Sequence, residues 1–167
     1  MLKIEPPDYR FCPMCGTKLE SRNEEGKARK FCSQCHWVYY PRVGIASAAL
    51  IVIDKKVLLV QRNREPYKGK WMFPAGFLEF GEHPIDTVKR EVTEETGLSV
   101  AEVKLIDVLQ EDDDPRSPGD LVFFYKVKIH DGQVKNDPEE NQDIQWFSID
   151  DLPEIAWESH REIAKKL

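Results

Sequence analysis

From Ile45 onward the chain alternates apolar runs with polar turns, and one stretch changes to a helical period. "IASAALIVI" (Ile45 to Ile53) is almost unbroken apolar sequence, and its length and β-branched content predict a buried strand. "DKK" predicts a turn and "VLLVQRN" a second strand. Ile85, Val88 and Val92 lie three and four residues apart, the spacing of one apolar helix face. Pro84 suits the first position of that helix and Gly97 its C-terminal stop. His83 takes the N-cap position, where histidine caps less well than serine. Strands follow around Val100–Leu109, Leu121–Ile129 and Ile144–Ser148, and "AWESHREIAKKL" predicts a closing amphipathic helix. Strand and helix in alternation indicate an α/β layered domain. The charged, Pro/Gly-rich loop Glu111–Asp120 has two readings, a solvated hairpin connection or a substrate-contacting segment.

Ahead of this domain the chain is organised by cysteines. All four lie in the first 35 residues, as Cys12-x2-Cys15, sixteen intervening residues, then Cys32-x2-Cys35. That spacing suits a four-thiolate zinc site, with each pair on a tight knuckle. Gly16 follows the first pair, where a knuckle commonly needs positive φ. The rival reading, two disulfides, needs an oxidising compartment that nothing in the sequence announces. Four cysteines complete a tetrahedron, so His36 is read as a bystander. "ESRNEEGKARK" is expected to be a solvent-exposed loop or hairpin tip, and "WVYYPRVG" a junction. The expected division is 1–40 and 41–167, the first part drawing much of its folding energy from metal.

Composition narrows the class. The 167 residues carry a net charge of −6, which argues against a general nucleic-acid scaffold but not against a phosphate ester held through metal ions. "MLKIEPPDYR" lacks the hydrophobic core of a signal, and Ile45–Ile53 is far too short to span a bilayer, so a cytoplasmic location without a membrane partner is expected.

The chemistry gathers on the helix. Glu91, Glu94 and Glu95 share a face within an arc of about 100°. Like charges at these spacings repel, and a bound cation relieves them; hard oxygen donors suit Mg²⁺ or Mn²⁺.

"GFLEFGEHPIDTVKREVTEETGL" (Gly76 to Leu98) resembles the Nudix box, G-x5-E-x7-R-E-U-x-E-E-x-G-U with U aliphatic. Gly76, Glu82, Arg90, Glu91, Val92, Glu94, Glu95, Gly97 and Leu98 match its nine specified positions. "GKWMFPAGFLEFGE" and "WFSIDDLPEI" extend the likeness over Val43 to Leu167, and the cysteine segment is similar to the zinc ribbon that precedes some Nudix domains. The resemblance implies an α/β/α sandwich with a mixed sheet, a small β zinc ribbon ahead of it, and metal-dependent cleavage of a nucleoside diphosphate derivative. It further implies that Glu91, Glu94 and Glu95 hold Mg²⁺ or Mn²⁺ and that Gly76 offers its carbonyl. Arg90 orients neighbouring carboxylates through a salt bridge, with Glu82 as a candidate partner. A late ligand or base is expected before the last strand, at Glu140, with Glu139 as competitor. The general base is left open among Glu91, Glu94 and a loop carboxylate. His130 and His160 show no partner pattern and are expected at the surface.

For the substrate, the ribbon-bearing layout points to ADP-ribose or FAD, giving AMP. NADH pyrophosphatases share the ribbon but carry a downstream S-Q-P-W-P-F-P element, and here "SVAEVKLIDVLQEDDDPRSPGD" follows Leu98, so NADH ranks second and nucleoside triphosphates third. Pro115 or Pro118 fits a proline associated with ADP-ribose hydrolysis. Trp71, Phe73, Phe77 and Phe80 offer aromatic faces or belong to the core. Two other classes remain: a silent nucleotide sensor, opposed by the intact glutamates, and an RNA-binding module or cap hydrolase, opposed by the acidic balance. Nucleic acid is therefore an unexpected partner, and the ribbon-bearing relatives suggest a homodimer.

Overall fold

The computed structural model describes residues 8–117 and 119–167. The chain separates into two compact units, Met1–Arg42 and Val43–Leu167.

In the first unit β1 (Glu20–Glu24) and β2 (Lys27–Phe31) form an antiparallel hairpin, and β3 (Val38–Tyr39) pairs with β2. The stretch expected as a loop or hairpin tip is therefore mostly strand. Only Glu25 and Gly26 make the turn, at φ 51° and 81°, the left-handed pair that suits a two-residue hairpin. No apolar alternation marked these strands, because both leave their side chains largely to solvent. The small core is Cys12, Leu19 and Cys32, with Trp37 packed against it. Two matching knuckles frame it. The Gly16 N–H donates to Cys12 O at 2.8 Å, and the His36 N–H donates to Cys32 O at 2.9 Å. Gly16 and His36 both have positive φ, 73° and 61°. His36 thus fills a backbone position that glycine fills in the other knuckle.

The second unit is built on a seven-stranded mixed sheet ordered β10-β5-β4-β9-β8, with β6 and β7 attached to β5 and β4. The strands are β4 (Ile45–Ile53), β5 (Lys56–Arg62), β6 (Trp71–Met72), β7 (Ala75–Phe77), β8 (Ser99–Glu111), β9 (Asp120–Asp131) and β10 (Asn141–Ser148). β4 lies at the centre, parallel to β9. Its side chains alternate between two cores. Ala49 and Ile51 join Leu58, Tyr125 and Val127 against Val88 and Val92 of α1 (Pro84–Thr96). Ala48 and Leu50 join Leu59, Phe73 and Phe124 against Ile163 of α2 (Glu158–Ala164). Burial on both faces explains why the run reads as continuously apolar. The closing helix is shorter than its amphipathic pattern predicts: Trp157 is its N-cap, and the Ala156 N–H donates to Trp71 O.

One departure from regular pairing positions the site. β4 and β5 are joined through Asp54 and Lys55, both at positive φ, yet only Val52↔Val57 and Ile53↔Lys56 pair across the hairpin. The strands then part. β7 pairs with the opening half of β4 (Ser47↔Gly76) and β6 with the far half of β5 (Val60↔Met72). This wedge carries Gly76 to the face of α1.

Candidate active site

A cleft of about 660 Å³ opens beside the wedge, with α1 carboxylates on one wall and residues of β5, the β8–β9 loop and α2 on others. Gly76 lies against Glu91: a Cβ there would stand 2.0 Å from Glu91 Oε1. The side chain is unwelcome because a carboxylate occupies its space, whatever the carbonyl does.

Arg90 knits the acidic face together. Its Nε donates to Glu82 Oε1 at 3.0 Å and its Nη2 to Glu82 Oε2 at 3.0 Å. Nη1 reaches Glu91 Oε1 at 2.6 Å and Glu94 Oε2 at 2.9 Å, and Nη2 also donates to Phe77 O at 3.1 Å. Glu82 further accepts from the Glu79 N–H and the Thr87 hydroxyl. Arg90 and these bonds hold its carboxyl down at about 2.

The three α1 glutamates differ in environment. Glu94 is half exposed, Glu91 mostly buried, and Glu95 only 7% exposed. Burial pushes the Glu91 carboxyl above the usual range, against the pull of Arg90. Burial and then the Glu91 charge push Glu95 well above it, and its Oε2 accepts the Ala75 N–H at 2.9 Å. Two buried carboxyls, both raised by burial and Glu95 further by the Glu91 charge, suit a site completed by a divalent cation. Glu140 lines the same cleft, exposed, with Arg64 at 3.5 Å. Glu139 instead offers its carbonyl to Asn63 Nδ2.

In the first unit the four cysteine sulfurs lie within 4.8 Å of one another, and Cys12–Cys35 and Cys15–Cys32 are both 3.5 Å apart. None is in a disulfide. A tetrahedron of thiolates about 2.3 Å from zinc has edges of about 3.8 Å, so the set fits that ion.

The family model for the NUDIX domain matches residues 44–167, and that for the Nudix N-terminal zinc ribbon matches residues 10–41. The chain belongs to the Nudix family. Nudix enzymes use Mg²⁺ or Mn²⁺, and the four clustered cysteines of the ribbon fit a structural zinc. Among similar proteins is the "NAD-capped RNA hydrolase NudC" of Vibrio atlanticus, 32% identical over 148 residues, 88% of this chain and 52% of the relative. The protein of the same name from Pseudomonas aeruginosa is 32% identical over 158 residues, 95% of this chain and 54% of that one. The chain thus spans about half the length of the curated relatives it matches. The crystal structure of a NUDIX hydrolase from Nitrosomonas europaea superposes with TM-score 0.75 at 26% identity, covering 92% of this chain and 87% of that one. A UDP-X diphosphatase structure matches with TM-score 0.62 at 27% identity, covering 77% and 64%.

Several expectations change against this Nudix site. His160, expected at the surface, is buried between Phe73 and Phe124 and lines the cleft; burial holds its imidazole down at about 3. The Phe73 N–H donates to His160 Nδ1 at 3.2 Å. His130 is exposed as expected. Of the four aromatics, Phe73 is core, Trp71 packs edge-on to Phe147, Phe80 is fully exposed, and Phe77 alone lines the cleft. Pro115 is exposed and outside the cleft lining, and Pro118 lies outside the described residues.

The loop with two readings is not simply solvated. Glu111, Asp114, Arg116 and Asp120 line the cleft, and the three acids are buried. Arg62 and Trp157 line it too, with the Arg62 guanidinium 4.8 Å from the Trp157 ring centre. Arg62 Nη2 is buried with no hydrogen-bond partner among the described residues. Sequence reading raised the Glu111–Asp120 loop as one of two readings without singling out these side chains, and it missed Arg62 and Trp157, which come from distant segments.

Proposed function

We propose that the protein hydrolyses the internal diphosphate of an adenine dinucleotide of the NAD(H) type, releasing AMP and a second mononucleotide. The Arg90-knit carboxylate face in a nucleotide-sized cleft carries the reaction class. The relatives named for NAD-capped RNA, alike over 88–95% of this chain, favour NAD(H) over the ADP-ribose or FAD reading.

In this reading Glu91, Glu94, Glu95, Glu140 and the Gly76 carbonyl hold Mg²⁺ or Mn²⁺, and Cys12, Cys15, Cys32 and Cys35 hold zinc. Bound divalent ions supply charge neutralisation of the phosphates and acidification of water. Arg90, anchored on Glu82, fixes Glu91 and Glu94 as ligands, which makes it a positioning residue. It also occupies those carboxylates as a hydrogen-bond donor, and Glu95 is shut away from solvent. Glu140, exposed at the cleft beside Arg64, binds the ion through one carboxylate oxygen and accepts the proton of the attacking water on the other.

The whole-chain charge does not oppose an RNA-linked substrate. Residues 1–42 hold eight basic and five acidic residues, a net +3, so the remainder carries −9. The acidic average conceals a basic ribbon.

ADP-ribose or FAD stands as the second reading, favoured by the missing S-Q-P-W-P-F-P run. The test is a panel of NADH, NAD-capped RNA, ADP-ribose, FAD and dGTP with Mg²⁺ or Mn²⁺, products resolved by chromatography. NADH and the capped RNA should show the highest kcat/KM and yield mononucleotides. Faster cleavage of ADP-ribose or FAD than of either selects the second reading, and preferred release of pyrophosphate from dGTP overturns both.

A further inference from the structure

We propose that Asp120 sets specificity for the nucleoside half of the substrate: its Oδ2 accepts a hydrogen bond from an N–H or O–H of the base or ribose. The inference deepens the dinucleotide reading and rests on it for the parent substrate.

Asp120 opens β9 at the cleft wall and is 4% exposed. One of its oxygens is fully engaged: Oδ1 accepts the Gly44 N–H at 2.6 Å and the Ser117 hydroxyl at 2.8 Å. The other, Oδ2, is buried with no hydrogen-bond partner among the described residues. Arg116, raised in part by the Asp120 charge, is bound through two nitrogens to Asp114 instead, at 3.0 and 2.8 Å. A buried acceptor without a donor bears its desolvation penalty uncompensated, and such groups usually mark a missing partner.

The neighbourhood is shaped to keep that oxygen in place. A Cβ on Gly44 would stand 2.7 Å from Asp120 Oδ2 and 2.8 Å from Oδ1, so only glycine leaves room for the carboxylate. Asp120 is not part of the glutamate cluster. The charges acting most on Glu91 come from Arg90, Glu94 and Glu140, and those on Glu95 from Glu91, Glu140 and Arg64.

The ligand's chemistry follows by elimination. A carboxylate oxygen accepts and does not donate, and it repels phosphate. The group that meets it is therefore a hydrogen-bond donor. The adenosine half offers the exocyclic amine of adenine and the ribose hydroxyls, of which the 2′ is the one tested. A site that hydrogen-bonds such a group rejects analogues lacking it far more strongly than an apolar pocket does. A merely structural role, tying Gly44 and Ser117, needs only Oδ1, and asparagine would perform it.

The experiment compares kcat/KM for NAD, its hypoxanthine counterpart and its 2′-deoxyadenosine counterpart, in wild type and Asp120→Asn. The variant keeps the Oδ1 acceptor and turns Oδ2 into a donor. Wild type should disfavour one analogue by about tenfold or more. In the variant that ratio should collapse towards one, through a raised KM for NAD. The hypoxanthine arm identifies the amine, and the deoxy arm the hydroxyl. Unchanged ratios in a folded variant overturn the proposal, as does a wild type that treats all three alike, a result independent of the variant's folding. If no dinucleotide is cleaved, the dinucleotide reading fails separately, and the same comparison on ATP, ITP and 2′-dATP decides the role of Asp120.

Discussion

The two units use metal-binding groups in opposite ways. In the ribbon the proposed ligands are the core: Cys12 and Cys32 are two of the three buried side chains among its described residues, so the unit has little to collapse around without an ion. In the second unit the glutamates decorate a core that already exists. Val88 and Val92 dock α1 on the sheet, and Glu91 and Glu95 ride beside them towards the cleft. Metal should therefore decide folding in one unit and chemistry in the other.

The sharpest break of that comparison is zinc removal. Structural zinc binding in small modules is worth about 10–16 kcal/mol, so chelation or Cys12→Ser should unfold residues 10–41 outright. Amide exchange should show lost protection in β1–β3 and retained protection in β4 and β5. Loss in both units would mean that the second depends on the first.

Next in size is Glu95→Gln, which keeps volume and removes an anionic ligand. Turnover should fall by about 10³-fold, with the melting temperature held or raised because a costly buried carboxyl is gone. Near-normal turnover at limiting metal would refute the assignment. Arg90→Ala should cost about 10- to 100-fold in kcat, since Glu91 and Glu94 lose the guanidinium that orients them. Glu20→Gln in the ribbon hairpin should leave kcat unchanged.

A smaller effect concerns pH. Burial, then the neighbouring Asp113, raises Glu111 to about 8, while the Ser159 hydroxyl donates to it. Its folded pKa lies above the unfolded value of 4.5, so its stabilising contribution is complete below that value and disappears as pH rises through about 8. Glu111→Gln should flatten the loss of melting temperature between pH 6 and 9 by on the order of 5 °C. An unaltered slope would place the proton elsewhere. The least effect is His36→Gly, which relieves a left-handed non-glycine residue and should stabilise the zinc-loaded ribbon by about 0.5–1 kcal/mol.

Local periodicity and spacing made much of this legible. The apolar run of β4, the stripe of α1 with its Pro84 and Gly97 limits and the paired cysteines all lie in contiguous sequence, where local periods and spacing suffice; the Arg90–Glu82 pair was implied only by the family resemblance, since Glu82 precedes the helix. The ribbon strands were hidden because a hairpin with no face to bury carries no alternation.

What the tertiary structure alone decided is the far side of the cleft and the environment of each acid. Arg62, Asp120, Trp157 and His160 meet there from the end of β5, the start of β9 and the α2 terminus. Nothing in their local spacing encodes that meeting, because it depends on β4 and β5 parting to admit the wedge. The same applies to Glu91, Glu94 and Glu95. Helical spacing put them on one face, but whether each is exposed, half-buried or sealed depends on what packs against that face. Burial is a property of the assembled layers, and it sets the energy of a charge more strongly than its place in the chain.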